Sequence, residues 1–588
     1  VIKTKAFLLI LLLFVQQLIY AQEFKIKIIE TSDVHGALFP FNFVTDHPSN
    51  GSLAQVLTYV NQQRADTNQY VVLLDNGDML QGTPAVYYFN YIKSDTIHLF
   101  ADAMNRMQYD AGTVGNHDVE TGHAVYDKFR EELNFSWMAA NALHQGSDEP
   151  YFTPYCVLQK GEIRIAVLGL ITPLIPEWLP DKLYSGIEFD DMVDAARKWV
   201  QIIREKEHPD LLIGLFHSGV DYTYGGTDAN TYRNENAASL VAKRVAGFDV
   251  VFVGHDHKGW NYTVNDPDGR EVLILGTSSG ARNIAVAELD LQFDAASHSF
   301  IKTSASGHLI DMKDVVPDSV FVAHYAGSFN VVRKYVERPV ARFDETIFSR
   351  DALFGPSEFT DLIHRVQLDL THADLSMTSP LSFNAKVNEG IIRVRDLFDL
   401  YSFENQLYTI WLTGNEIKNY LEFSYGSWFN QMKSENDHLL KFRLDEQGGI
   451  VFNERTRSPE LEERYYNYES AAGIDYEVDV TKPVGQRITI HGLSDGRPFH
   501  MDERYSVAIN SYRANGGGGH LIYGAGIPRE QLKNRVITAS EKDLRFYLMQ
   551  WLDQQQTVHP QIINNWKVVP ENYWKAGKER DCILLFGK

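Results

Sequence analysis

The sequence predicts an α/β protein built as two domains, and three observations carry that expectation. The 588 residues exceed the roughly 200–300 that one hydrophobic core usually organises. Short apolar and β-branched runs alternate with helical segments between Phe24 and Leu289, a pattern of strands covered on both faces. The texture then changes at Arg338-Pro339, and a second series of helices and strands follows.

Taken in order, residues 25–30 read as a strand, 52–63 as a helix, 70–74 as a buried strand and 96–107 as a helix. Residues 163–168 read as a strand and 189–205 as a helix with apolar residues at helical spacing. Residues 211–216, 249–253, 272–275 and 284–289 complete the strands of a first domain over 22–315. A helical linker follows over 316–344, and a second domain over 345–550. Within that domain 357–370 and 414–423 read as helices, 407–412 as a strand, and 432–470 as an irregular aromatic excursion. Residues 551–588 form a C-terminal extension, expected to pack on a domain.

Lys3 and Lys5 precede an apolar run over 6–15. That run is shorter than the about 20 residues of a membrane-spanning helix. With Ala21 after it, residues 1–21 read as a secretory signal, and the expected location is periplasmic or extracellular, without stable membrane insertion. The two cysteines, Cys156 and Cys582, form no CxxC pair, so neither thiol catalysis nor a bridge is expected. The formal charge of -22 argues against a nucleic-acid polymer as partner. Small phosphate esters remain compatible, because bound cations reverse the local field. The oligomeric state is not legible.

Candidate ligands recur in loops at or near strand exits: Asp33-Val34-His35, Gly77-Asp78, Gly115-Asn116-His117-Asp118, His217, and Gly254-His255-Asp256-His257. That edge is where open α/β sheets build their sites. The mixture of imidazole and carboxylate suits zinc, manganese or iron, with zinc or manganese expected. Asp33, His35 and His257 can hold one ion, Asn116, His217 and His255 a second, with Asp78 bridging. Such a pair activates water and stabilises phosphoryl transfer. An extended 255–257 segment places both of its imidazoles on one side. A lone His or Asp in a loop is ordinarily surface decoration; five such segments in one domain are not. His117, beside Asn116, can face the metals and donate a proton. Asp118 and Glu120 are the candidates to orient it, with Asp118 otherwise a loop cap.

The order DxH, GD, GNHD, isolated His, GHxH resembles the calcineurin-like metallophosphoesterases. More narrowly, the chain resembles the bacterial periplasmic 5'-nucleotidase and 2',3'-cyclic-nucleotide 2'-phosphodiesterase family. The resemblance implies a four-layer α/β/β/α metallophosphatase sandwich, a helical linker and a C-terminal α/β 5'-nucleotidase-type substrate domain. It implies that Asp33, His35, Asp78, Asn116, His217, His255 and His257 bind two divalent metals. It also makes His117 catalytic, oriented by Glu120 where the family commonly has Asp. Phe403, in Tyr401-Ser402-Phe403-Glu404-Asn405, and Tyr512, before Gly516–Gly519, match the family's base clamp. The usual Asn-x-Gly-Gly-x-Arg stretch is absent, leaving Asn384, Arg393 and Arg395 as candidate substrate contacts. Tyr512-Arg513-Ala514 and Asn234-Glu235-Asn236-Ala237-Ala238 resemble the cyclic phosphodiesterase branch. The expected activity is therefore that of a 2',3'-cyclic-nucleotide 2'-phosphodiesterase/3'-nucleotidase acting on small nucleotides. A 5'-nucleotidase or UDP-sugar hydrolase is the close alternative. A binding protein that kept the fold without the chemistry is a remote one, opposed by the intact ligand set.

Overall fold

A computed structural model describes residues 23–294, 298–453 and 457–587; the expected signal segment, 1–21, lies outside them. The chain divides into two compact units, one formed by 1–176 with 181–333 and the other by 177–180 with 334–588.

The first unit is a sandwich of two six-stranded sheets. One sheet runs Ser299–Asp311, Asn283–Asp294, Glu23–Thr31, Tyr70–Asp75, Ala111–Thr113, Ser136–Met138. The other runs Trp260–Asn265, Glu271–Gly276, Val250–Val253, Leu211–His217, Ile163–Ile171, Tyr155–Lys160. Period-two alternation explains the layering. Leu211, Ile213 and Leu215 pack with Ile28, Val72 and Leu74 between the sheets. Leu212 and Phe216, on the opposite face, pack with Val193, Ala196 and Val200 of the helix Met192–Glu207. The helix Leu53–Arg64 lies against Tyr70–Asp75 on the far side of the first sheet. The result is the expected α/β/β/α order.

Element starts differ from the sequence reading where polar side chains set them. The helix expected over 189–205 begins at Met192, because Asp191 Oδ1 accepts from the amides of Val193 (2.8 Å) and Asp194 (3.1 Å); Ile187–Phe189 is a strand. His98 Nδ1 caps Leu99–Met107, accepting from Phe100 N at 3.3 Å. Capping groups of this kind satisfy amides that the helix leaves unpaired.

Two helices, Ser319–His324 and Ala326–Val336, follow the sandwich. In the second unit a five-stranded sheet has the order Ser470–Ala472, Leu375–Thr378, Arg504–Asn510, Gln406–Thr413, Val536–Asp543. The 432–470 stretch is held by isolated bridges such as Phe442 to Leu461, rather than by a continuous ladder. The helix Leu544–Gln555 runs through residue 550, and Trp566–Val569 pairs with Ile474–Asp479. Trp566 and Val568 are buried in this unit's core. Cys156 and Cys582 form no disulfide with each other. No helix among the described residues is long and apolar enough to cross a membrane.

His364 is wholly buried between Ser376 Oγ (2.9 Å) and Ser470 Oγ (3.0 Å). Burial pushes its pKa from 6.5 down to about 3. Between those values the unfolded chain binds the extra proton, so His364 contributes stability above pH 6.5 that is lost as the pH falls towards 3. The stability gap between wild type and His364→Gln, measured by urea denaturation, is therefore expected to narrow from pH 7 to pH 4. A gap that stays constant over that range refutes the assignment.

Candidate metal centre and aromatic clamp

The five loops named by the sequence converge in the first unit. Their backbones are sewn together: Asp33 N donates to Gly77 O and His35 N to Asp78 O, each at 2.9 Å. Asp118 is buried and accepts from the amides of Asp78, Met79 and Leu80 at 2.9 Å and of Gly115 at 2.8 Å. It fastens two ligand loops to each other, which makes it a cap and not the partner of His117. Two glycines permit the approach. A Cβ on Gly115 would lie 2.2 Å from Asp78 Oδ1, and one on Gly254 2.3 Å from Ser32 Oγ.

Asp33, His35, Asp78, His255 and His257 all have φ between 50° and 73°. Non-glycine residues in this region cost about 1 kcal/mol or more each and concentrate at functional sites. The 255–257 segment is therefore a pair of left-handed turns, not the extended run expected. Both imidazoles still reach the centre, while Asp256 turns away to Trp260 Nε1 at 2.9 Å.

Asp33, His35, Asp78 and His257 present ligand atoms within 4.8 Å of one another. His257 Nε2 is 3.2 Å from Asp33 Oδ1 and 3.0 Å from His35 Nε2. A second group adjoins through Asp78. His217 Nε2 lies 3.2 Å from Asp78 Oδ2 and 3.1 Å from Asn116 Oδ1, and His255 Nδ1 lies 2.8 Å from the same Asn116 oxygen.

The donor set fits divalent cations. His35 Nδ1 donates to Gln81 O (3.1 Å) and His217 Nδ1 to Asn76 O (2.6 Å). In its neutral form each ring therefore turns a bare Nε2 towards other acceptors, and the buried Asp78 Oδ2 has no hydrogen bond. Lone pairs that face one another in a buried site call for a cation. The same carboxylates would draw a proton in place of a cation. Burial opposes charge on His217, but Asp78 outweighs it and raises the imidazole to about 10. Burial likewise opposes ionisation of Asp33, yet His257 and His217 hold it down at about 2.

His117 and Glu120 sit one turn apart in the short helix Asn116–Glu120. Glu120 Oε2 accepts from His117 Nδ1 at 2.5 Å, so the longer carboxylate does reach the ring. Burial works against protonation of His117, but Asp78 and then Glu120 raise it to about 9.

In the second unit Leu407 pairs with Asn510, so Phe403 and Tyr512 leave the sheet at one edge. Arg545 holds the Phe403 segment by donating to Tyr401 O and Ser402 O, both at 2.9 Å. Buried Arg513 holds the Tyr512 turn. It pairs with Glu469 (3.0 Å) and donates to Gly517 O (2.7 Å) and Tyr466 O (2.9 Å). Tyr466 packs edge-on against Phe403 at 5.9 Å. The other three candidates stand apart. Asn384 is exposed. Arg393 donates to Glu337 O at 2.7 Å, and Arg395 pairs with the Glu337 carboxylate at 3.4 Å. Both guanidinium groups thus serve local structure at the start of Val394–Leu400, which offers no support for substrate contact.

Residues 26–259 match the calcineurin-like phosphoesterase family, and residues 339–524 match the 5'-nucleotidase C-terminal domain. The chain belongs to the calcineurin-like phosphoesterases, with a 5'-nucleotidase C-terminal domain. It is a phosphoester hydrolase, of a family whose site takes divalent metals. This phosphoesterase is 26% identical to the 2',3'-cyclic-nucleotide 2'-phosphodiesterase/3'-nucleotidase of Haemophilus influenzae, over 93% of the chain and 87% of that protein. It is 25% identical to the trifunctional nucleotide phosphoesterase protein YfkN of Bacillus subtilis over 94% of the chain, which spans 39% of YfkN. The putative 5'-nucleotidase of Staphylococcus aureus shares its fold, with a TM-score of 0.74 at 21% identity over 92% of this chain and 99% of that one.

The loops of the phosphoesterase that bring the candidate ligands together were legible from residue type and spacing. Tyr466 was not, because it lies in the irregular 432–470 stretch. Glu469 was not either, having no motif. Glu235 stood in a quoted segment but without a role.

Proposed function

We propose that the enzyme is a 2',3'-cyclic-nucleotide 2'-phosphodiesterase and 3'-nucleotidase that uses two divalent cations, zinc or manganese. The carrying observation is the set of opposed lone pairs around Asp78. Asp33, His35, Asp78 and His257 would hold one ion; Asp78, Asn116, His217 and His255 the other. Bound there, the ions supply an activated water and a counter-charge for the phosphoryl oxygens. In the first reaction a water oxygen bonds to phosphorus, the P–O2' bond breaks, and O2' takes a proton. In the second another water oxygen bonds to phosphorus, the P–O3' bond breaks, O3' takes a proton and inorganic phosphate leaves. His117 donates the leaving-group proton from Nε2, while Glu120 fixes its Nδ1–H. Phe403 and Tyr512 stack the base, with Tyr466 buttressing Phe403. The relatives support the choice of ester: three similar proteins, from Haemophilus, Salmonella and Yersinia, bear this double name. The charged start and apolar run of residues 1–21 support export to the periplasm.

The test is a substrate panel with added manganese or zinc, comparing 2',3'-cyclic AMP, 3'-AMP, 5'-AMP, a UDP-sugar and p-nitrophenyl phosphate, on wild type and Tyr512→Ala. The first two substrates should turn over fastest. The variant should raise KM for nucleotides about 10- to 100-fold, the equivalent of one lost aromatic stack, and spare p-nitrophenyl phosphate. Preference for 5'-AMP selects the 5'-nucleotidase reading; equal losses on all substrates refute the clamp.

A further inference from the structure

The histidines of the centre are not all supported alike. His35 and His217 turn Nδ1 to a backbone carbonyl. His255 is turned the other way: its Nδ1 faces Asn116 Oδ1, and its Nε2 lies 3.0 Å from Glu235 Oε1. We propose that Glu235 is a positioning residue of the second cation site, whose carboxylate accepts the Nε2–H of His255 and so leaves Nδ1 as the ligand atom. The inference rests on the two-cation reading above.

The backbone that carries Glu235 is held in place. Glu235 O accepts from Ser218 Oγ at 2.8 Å and from Thr172 Oγ1 at 3.1 Å. Ser218 is the residue after the ligand His217, it is wholly buried, and its Oγ also accepts from Ala237 N at 2.9 Å. The loop between is laced by two buried asparagines. Asn234 Nδ2 donates to Tyr222 O (2.8 Å), Asn234 Oδ1 accepts from Asn236 N (2.9 Å), and Asn236 Nδ2 donates to Asp221 O (3.1 Å). This loop thus starts at one ligand, His217, and returns to brace another, His255.

The chemistry favours a carboxylate at this position. An imidazole has two tautomers, and only the one with a bare Nδ1 can bind a cation beside Asn116. A backbone carbonyl at Nε2 would select that tautomer, just as carbonyls at Nδ1 select the opposite one, with a bare Nε2, in His35 and His217. A carboxylate selects it too and adds negative charge, which raises the basicity of the ligand nitrogen. An ordinary ion pair between Glu235 and a protonated His255 would do the opposite, because it would block Nδ1.

The test is calorimetric titration of the chelator-stripped full chain with manganese chloride. Wild type should take up two ions. Glu235→Ala should keep one site and weaken the other about 10- to 100-fold, the usual cost of losing such a partner. Glu235→Gln, whose amide oxygen still accepts the Nε2–H, should fall between. The same site should weaken in His255→Ala, and adding Glu235→Ala to that variant should cost nothing further, since the two residues act as one unit. Thermal melts of the stripped proteins report folding. Binding of both ions at wild-type affinity by Glu235→Ala overturns the inference. If that variant does not fold, unchanged affinity in Glu235→Gln overturns it. Wild type that takes up no pair of ions refutes the centre itself, before any variant is compared.

Discussion

Asp78→Asn should lose turnover by about a thousandfold or more, the rate equivalent of several kcal/mol of lost transition-state stabilisation. Asp78 stands where the two ligand groups meet, with Oδ2 against His217 and buried without a hydrogen bond. No neutral side chain could supply the charge that two cations held there would share. Asparagine is the cleaner test than alanine for two reasons. The backbone φ of Asp78 is 58°, a region that Asn adopts more readily than Ala. Asp78 Oδ1 also accepts from His117 N at 2.8 Å, and an amide oxygen can keep that bond. The stripped variant should therefore fold, with a Tm somewhat below that of stripped wild type, since His217, His117 and His35 favour the charge that has been removed and hold Asp78 well below the usual carboxylate range. What should vanish is the rise in Tm on adding manganese, because ligands that bind only the folded state stabilise it by linkage. A purified Asp78→Asn protein with full activity, or with the wild-type metal-induced rise in Tm, sinks the placement of the cations.

Legibility followed the physics of each feature. The sandwich could be read because strands covered on both faces must be apolar throughout, as in 70–75 and 211–217. The ligand loops could be read because Asp, Asn and His beside glycine fall near strand exits, where the side chains must converge. The helix starts at Met192 and Leu99 were misplaced because a single capping side chain decides them, and periodicity does not register it. The left-handed turns at His255 and His257 were hidden for a related reason: five residues at positive φ are a consequence of loops closing on one another, not of local propensity. Arg393 and Arg395 show the reverse failure. A basic residue near a missing motif reads as a candidate substrate contact, and the sequence does not show that Arg393 and Arg395 also bond a carbonyl and a carboxylate of Glu337. The braces Arg513–Glu469 and Glu235–His255 each join residues far apart in sequence, and only the folded chain reveals them.

The second large effect is expected at His117. His117→Ala should lower kcat by about 10²- to 10⁴-fold on a nucleotide, the range of general acid catalysis. The loss should depend on the leaving group. A ribose hydroxyl is a poor leaving group and needs the proton, whereas p-nitrophenolate leaves without one, so p-nitrophenyl phosphate should lose much less. Glu120 makes this a two-residue device. Its carboxylate accepts from Nδ1 at 2.5 Å, which aims Nε2 and supports the imidazolium. Asp78 and Glu120 together raise His117 to about 9 against the effect of burial. Once bound cations offset the charge of Asp78, Glu120 remains as the group that keeps the ring protonated. Glu120→Gln keeps an acceptor for Nδ1–H but removes that charge. It should therefore lower the pH at which nucleotide turnover declines, and change p-nitrophenyl phosphate turnover little. Glu120→Asp shortens the side chain by one methylene and should restore the pH profile more than the rate, since charge returns while reach is reduced. Equal losses in His117→Ala for both leaving groups would assign the imidazole to binding the phosphoryl oxygens instead of to proton donation. An unshifted pH profile in Glu120→Gln would remove Glu120 from the mechanism.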